Sequence, residues 1–130
     1  MKTRYVLGVA ALVATASFAP ALDAQAPAIK RTPLQRIDLG DGRELILGIA
    51  EIAPGGSTGK HSHFGIETGY ALEGTSSMEV EGEPTRTLKA GDSYLIAAGK
   101  VHDARVVGDK PAKVLAVYVV EKGKPLATPR

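Results

Sequence analysis

The chain has three histidines, and two of them stand one residue apart in HSHFGIE, His61 to Glu67. On a β-strand, side chains two apart project to the same face, so His61 and His63 can aim their imidazoles at one point. Glu67 keeps the same parity, and a turn near Gly65 would let it present its carboxylate from an adjoining strand. The third histidine, His102, lies in VHDARVV, where Ala104 and Val106 share its face and direct that face inward. Three imidazole nitrogens and one carboxylate oxygen suit a divalent first-row transition metal: Mn, Fe, Co, Ni, Cu or Zn. An octahedral ion held by these four would keep two adjacent positions for substrate or oxygen. An HSH alone is a weak signal, because packed or exposed histidines are common. The wider spacing is what decides.

The elements that must position these residues are short. RELILGIAEIA, Arg43 to Ala53, is rich in isoleucine and leucine and ends at Pro54-Gly55-Gly56. TGYALEG stops at Gly74. SSMEVEGEPTRTL alternates as a half-buried strand does, with Met78 and Val80 inward and Glu79 and Glu81 outward, and Gly82 to Pro84 supply its turn. GDSYLIAAG is bounded by glycine at both ends, VHDARVV alternates again, and the β-branched AKVLAVYVVEK closes the domain. After residue 30 no segment sustains a 3.6-residue apolar period for three turns. Many short strands with frequent turn signals predict an all-β sandwich or barrel. Ala26 to Pro33 reads as a linker or extended arm, and GKPLATPR as an extended tail.

The spacing around the histidines is more specific. Gly55, five residues, His61-Ser62-His63, three residues, Glu67, six residues and Gly74 resemble the first cupin motif in full. Gly91, five residues, Ala97-Ala98-Gly99, two residues and His102 resemble the second. The sixteen residues between Gly74 and Gly91 match the short inter-motif spacing of small microbial cupins, and all three histidines fall on ligand positions. The resemblance covers Arg43 to about Val120. It implies a double-stranded β-helix, or jelly roll, with metal-ligand roles for His61, His63, Glu67 and His102. Ala97 stands where the family often has proline, which should loosen a turn. Val106 stands where it often has asparagine, and neither change touches a ligand. Phe64 and Ile66 replace residues that are often proline and acidic, which predicts a more apolar mouth beside the metal. The family habit of pairing through the outer sheet and exchanged terminal strands implies a homodimer.

Other side chains carry weaker signals. Tyr70, Tyr94 and Tyr118 could donate a proton or orient substrate, although strand tyrosines usually fill the space between sheets. Lys60 and Lys100 should point away from the metal, as should Asp103; Glu73 is either on the ligand face or a rim charge. There is no Gly-x-Ser-x-Gly elbow and no P-loop. The glycines at strand junctions, Gly55, Gly74, Gly91 and Gly99, are read as structural.

The 130 residues allow one domain with a real core. Cysteine is absent, which excludes disulfides, thiolate metal sites, a cysteine nucleophile and a lipoprotein anchor. The N-terminus has cationic Lys2 and Arg4, an apolar run from Tyr5 to about Ala19, and then small residues. This is the layout of a secretory signal peptide, with Ala24-Gln25-Ala26 fitting the cleavage rule. The apolar run falls short of the about 20 residues that span a bilayer. The expected organisation is a signal peptide over 1–26, an arm over 27–40, the cupin domain over 41–122 and a tail over 123–130. The mature protein would be periplasmic or secreted. Removal of Lys2, Arg4 and Asp23 takes the net charge from +2 to +1, and no basic block remains. Electrostatics therefore gives no support for nucleic acid or a membrane surface as partner of the mature form.

Among cupins a site of three histidines and one glutamate resembles those of quercetin dioxygenases, oxalate oxidases and oxalate decarboxylases. The resemblance implies a metal-dependent oxygenase acting on a small oxygenated organic molecule. Two alternatives stand beside it: a redox-neutral lyase, decarboxylase or isomerase, and a non-catalytic periplasmic cupin that binds a small ligand or metal. No catalytic residue beyond the ligands is assigned.

Overall fold

The computed structural model describes residues 28–130. The signal-peptide reading of 1–26 lies outside the described residues. Ten strands follow in chain order: β1 Ile29–Gly40, β2 Arg43–Ile52, β3 His61–Ser62, β4 Gly65–Glu73, β5 Thr75–Val80, β6 Arg86–Lys89, β7 Ser93–Ile96, β8 His102–Val106, β9 Ala112–Glu121 and β10 Thr128–Pro129. They form two antiparallel five-stranded sheets, ordered β1-β2-β9-β4-β7 and β10-β3-β8-β5-β6, packed as a jelly roll. The described residues contain no helix.

Sequence patterning explains which strand lies where. β2 and β9 sit in the interior of the first sheet, in register with one another from Arg43↔Glu121 to Ile52↔Ala112. Their even-numbered residues (Ile46, Ala50, Ile52, Ala116, Tyr118, Val120) are buried between the sheets. Their odd-numbered residues Leu45, Leu47, Ile49, Leu115, Val117 and Val119 are half-buried on the outer face. The unbroken Ile/Leu/Val runs therefore come from strands that are apolar on both sides. β5 follows the simpler rule: Met78 is buried and Val80 half-buried, while Glu79 is exposed.

The core is one large cluster around Ile52, Met78, Leu88, Tyr94, Ile96 and Val106, with a smaller one around Ile46 and Tyr118. Leu88 is almost completely enclosed. Fully burying one such side chain stabilises a fold by about 1.5–3 kcal/mol.

Both ends of the domain do more than extend. Most of the 27–40 arm is β1, an edge strand running antiparallel to β2 from Ile29↔Ile52 to Gly40↔Arg43, with register shifts at Pro33/Gln35 and Asp38/Gly40. Pro33 is tolerated because an edge strand does not use every N–H. The tail also pairs. Thr128 lies opposite Ser62 and Pro129 opposite His61, with Arg130 N–H donating to the Lys60 carbonyl at 2.9 Å.

One crossing makes the site possible. Between His63 and Glu67 the chain leaves the second sheet, where β3 lies, and enters the first as β4. Gly65 makes the crossing, and a Cβ there would fall 2.0 Å from the Val119 carbonyl oxygen. Only glycine fits.

Candidate metal centre

Each ligand candidate arrives from a different part of this frame. His61 on β3 lies directly opposite His102 on β8. His63 sits in the crossover, and Glu67 is the third residue of β4 on the facing sheet. All four are buried, none more than 6% exposed. One ligating atom from each lies within 4.8 Å of every other. The imidazole centroids are 4.2 Å apart for His61 and His102, 4.9 Å for His61 and His63, and 5.1 Å for His63 and His102. The side chains of His61, His63, Glu67 and His102 thus meet in space, with His63 placed by the crossover and Glu67 by the facing sheet rather than by alternation along one strand.

Hydrogen bonds fix which ring nitrogen faces inward. His61 Nδ1 lies 2.7 Å from the Gly59 carbonyl and His102 Nδ1 lies 2.9 Å from the Lys100 carbonyl. His63 Nδ1 contacts the Leu126 carbonyl. A carbonyl oxygen can only accept, so each Nδ1 donates. In the neutral ring Nε2 then carries a bare lone pair. Two of these lone pairs point at one carboxylate oxygen: His63 Nε2 is 2.7 Å and His102 Nε2 is 3.3 Å from Glu67 Oε2. Both nitrogens are buried without a hydrogen-bond donor.

With both rings neutral these acceptors repel one another in a dry site, and a proton or a cation among them relieves this. Donors around a metal with bonds of about 2.0–2.2 Å are separated by no more than about 4.4 Å. Sub-ångström closure of the present arrangement would reach that geometry. The residues fit a metal, and the group could bind a divalent ion; its identity is open among the first-row metals.

Glu67 is prepared as an anion. Burial pushes its carboxyl pKa up; without an ion, protons shared from His102 and His63 and the Tyr94 hydroxyl outweigh burial and hold it well below the usual carboxylate range, a part that a bound cation would take over from the imidazole protons. The Tyr94 hydroxyl donates to Glu67 Oε1 at 2.8 Å, leaving Oε2 for the imidazoles. Burial, then the Glu67 charge, push the Tyr94 pKa up, so Tyr94 stays a donor. His61 is kept neutral: burial lowers its pKa to about 4, against the opposing contact with Gly59.

Tyr94 was one of three undistinguished tyrosines in the sequence. It lies opposite Gly69 across β4 and β7, and a Cβ at Gly69 would fall 2.5 Å from the Tyr94 ring and hydroxyl. A glycine in a strand interior marks such a close approach, and that was the available signal. Tyr118 packs edge-on to His63, with centroids 5.1 Å apart, and is also held protonated, first by burial and then by the Glu67 charge. Tyr70 is exposed. The Leu126 carbonyl had no side-chain signal at all.

Several other expectations resolve here. Glu73 is a rim charge paired with Lys113 at 3.0 Å. Asp103 faces away from the cavity and accepts from Thr58 Oγ1 at 2.9 Å. The turn at Ala97 keeps its Lys100 N–H to Ala97 carbonyl bond at 3.2 Å without proline, and Val106 is core. The predicted apolar mouth at Phe64 and Ile66 is corrected. Neither lines the cavity, because alternation that turns Glu67 inward turns Ile66 out, and Phe64 lies under Lys124 at 5.3 Å.

Beside the four donors the barrel keeps a narrow cavity lined by Ile52, Met78, Leu88, Ala104, Tyr118 and Arg31, among others. It has room for about two water molecules. Met78 forms part of the wall without closing the space.

Among solved structures the chain is similar to a cupin-like protein from Thermotoga maritima, with 21% identity, a TM-score of 0.67, and coverage of 81% of this chain and 77% of that one. It is similar to oxalate oxidase in complex with glycolate, with 20% identity, a TM-score of 0.64, and coverage of 82% and 57%. It is also similar to the DMSP lyase DddQ from Ruegeria pomeroyi, with 24% identity, a TM-score of 0.59, and coverage of 65% and 42%. The chain thus spans less than half the length of that lyase, and likeness at these identities shows the fold alone. Among curated proteins none matches the sequence. A family model described as Cupin domain matches residues 48–118, more than half of the chain and containing all four clustered donors. The protein belongs to the cupin domain family.

Proposed function

We propose that the protein holds one divalent first-row transition metal through His61, His63, Glu67 and His102, and acts as a metal-dependent oxygenase on a small oxygenated organic molecule. The observation that carries the metal reading is the meeting of bare Nε2 lone pairs with an ionised carboxylate in a buried site. When bound, the ion supplies a Lewis acid for a hydroxyl, enolate or carboxylate oxygen. The protein's part is to hold the site. Three backbone carbonyls fix the imidazole tautomers, Tyr94 keeps one carboxylate oxygen occupied, and the apolar walls limit water. The narrow cavity selects molecules of a few heavy atoms over large aromatic ones. The oxalate oxidase neighbour with its glycolate supports a small acid or alcohol and an oxidative reaction.

The lyase neighbour favours a second reading, a redox-neutral elimination or decarboxylation at the same ligands. Oxygen uptake separates the two. Protein loaded in turn with Mn, Fe or Cu is offered oxalate, a short β-diketone and a flavonol. The oxygenase reading expects uptake with a small substrate, none with the flavonol, and loss in His102→Ala. Carbon dioxide or alkene release without oxygen uptake moves the assignment to the lyase class. Tight binding without turnover makes the protein a binding cupin.

Two further readings belong to this proposal. Residues 1–26 act as an export signal that sends the domain to the periplasm or outside the cell. The apolar outer face of the first sheet is the contact of a homodimer.

A further inference from the structure

Arg31 has no role in the ligand set, yet it reaches the same cavity. On β1 it lies opposite Ala50, two residues from Ile29, which packs on the core. It lines the cavity together with His61, Glu67 and His102. It also borders a second groove, lined by Ile46 and Tyr118 of the inner face together with Pro33, Arg36 and Leu126. Arg31 thus stands where the inner space approaches the surface. Its charge bears on His61, Tyr94 and Tyr118, favouring the less protonated form of each.

One guanidinium nitrogen is short of an acceptor, although the side chain also contacts Tyr118. Arg31 Nε is buried with no hydrogen-bond partner, and among the described residues Arg31 makes no ion pair. Its neighbour Arg36 differs, being paired with the buried Glu44 at 3.1 Å. Arg31 itself is half-buried, and a buried N–H donor such as its Nε is costly when nothing supplies the missing acceptor.

Charge counting names the missing partner. With a divalent ion bound, the cavity holds two positive charges from the metal, one from Arg31 and one negative charge from Glu67. The neutral His61 adds nothing. Two uncompensated positive charges in a low-dielectric space demand an anion. A guanidinium presents a planar fork of N–H groups that matches a carboxylate.

We propose that Arg31 is a substrate-binding residue that holds the carboxylate of a small organic acid beside the metal group. This rests on the metal reading above and narrows its substrate class from oxygenated molecules to carboxylates. Ala50, Ala104 and Ala112 line the same cavity with small side chains. A structural role, with Arg31 merely covering Tyr118, leaves the selection of anions to the metal and predicts that Arg31→Met keeps the wild-type preference for lactate.

The test compares lactate with lactamide, its neutral counterpart, by titration calorimetry on zinc-loaded protein. Wild type should bind lactate about tenfold or more tightly than lactamide. Arg31→Met should weaken lactate by about the same factor and leave lactamide unchanged. Arg31→Lys, which keeps the charge and loses the fork, should weaken lactate about threefold or more; it serves alone if Arg31→Met does not fold. Zinc uptake measured on the same samples separates the failures. Protein that takes up no zinc overturns the metal reading and this proposal with it. Zinc-loaded protein that shows no lactate preference, or an Arg31→Met variant that binds lactate as wild type does, overturns the Arg31 assignment alone.

Discussion

At the scale of single residues, the site is built from groups whose protonation is dictated by their surroundings. Tyr94 is the clearest positioning residue, since its hydroxyl donates to Glu67 Oε1 at 2.8 Å. Tyr94→Phe removes that donor and leaves a buried carboxylate oxygen unsatisfied. Metal affinity is expected to fall about tenfold or more by competition with a chelator, with the fold retained because the ring still fills the space over Gly69. The metal-free protein should also be acid-sensitive at unusually mild pH. Burial depresses the His61 pKa from its unfolded value of about 6.5 to about 4 in the folded state. Between these values the unfolded chain binds a proton that the folded chain does not, so stability is full above about pH 6.5 and is lost as pH falls toward 4. Glu67, whose folded pKa is also lowered, acts in the same direction. Chelator-treated protein should melt at lower temperature at pH 5 than at pH 7; a flat profile would contradict the neutral buried imidazole.

At the scale of elements, the termini hold the centre in place. β10 pairs with β3, the Leu126 carbonyl receives His63 Nδ1, and Arg130 Nε donates to Ser62 Oγ at 3.0 Å. Deleting residues 125–130 frees the His63 ring to rotate and leaves the Ser62–His61 backbone unpaired on that side. Such support around a ligand is worth about 10–100-fold in metal affinity, and the truncated protein should show that loss while His102 remains in place on β8. Equal affinity with and without the tail would show that His63 is oriented by other contacts.

The same elements show what the sequence carries in readable form. Strand parity turns His102 inward with Ala104 and Val106, because the period of two is a local property of the chain. Met78 and Val80 face inward for the same reason. His63 and Glu67, by contrast, reach His61 through the crossing at Gly65. The arm and tail are not readable in this way: their pairing is made by backbone groups to strands distant in sequence, and Pro33 and Pro129 mask it. Tyr94 is distinguished from Tyr70 only by its register against Gly69, which no local pattern reveals. Arg31 is hidden for a related reason, since its position depends on β1 lying against β2.

At the scale of the molecule, the two faces of the first sheet divide the work. The inner face carries Glu67, Tyr94 and Tyr118. The outer face presents Leu45, Leu47, Ile49, Leu115, Val117 and Val119 in half-buried rows, with Ile37, Ile66, Tyr70 and Leu95 about it, between 42% and 63% exposed. An apolar face this continuous is typical of surfaces that associate. The homodimer reading predicts that sedimentation finds two chains per particle and that Val117→Lys together with Ile66→Lys yields folded monomers. A monomeric wild type would contradict it. The metal centre lies on the opposite face of this sheet, so the monomeric variant should still load with metal.

The most direct test of the whole account is metal content after folding in the native compartment, measured by mass spectrometry on wild type and on a Glu67→Gln, His102→Ala variant. The account predicts about one first-row transition metal ion per wild-type chain and almost none in the variant, with both proteins folded. A folded wild type that takes up no such metal, or a double variant that retains as much as wild type, would contradict it.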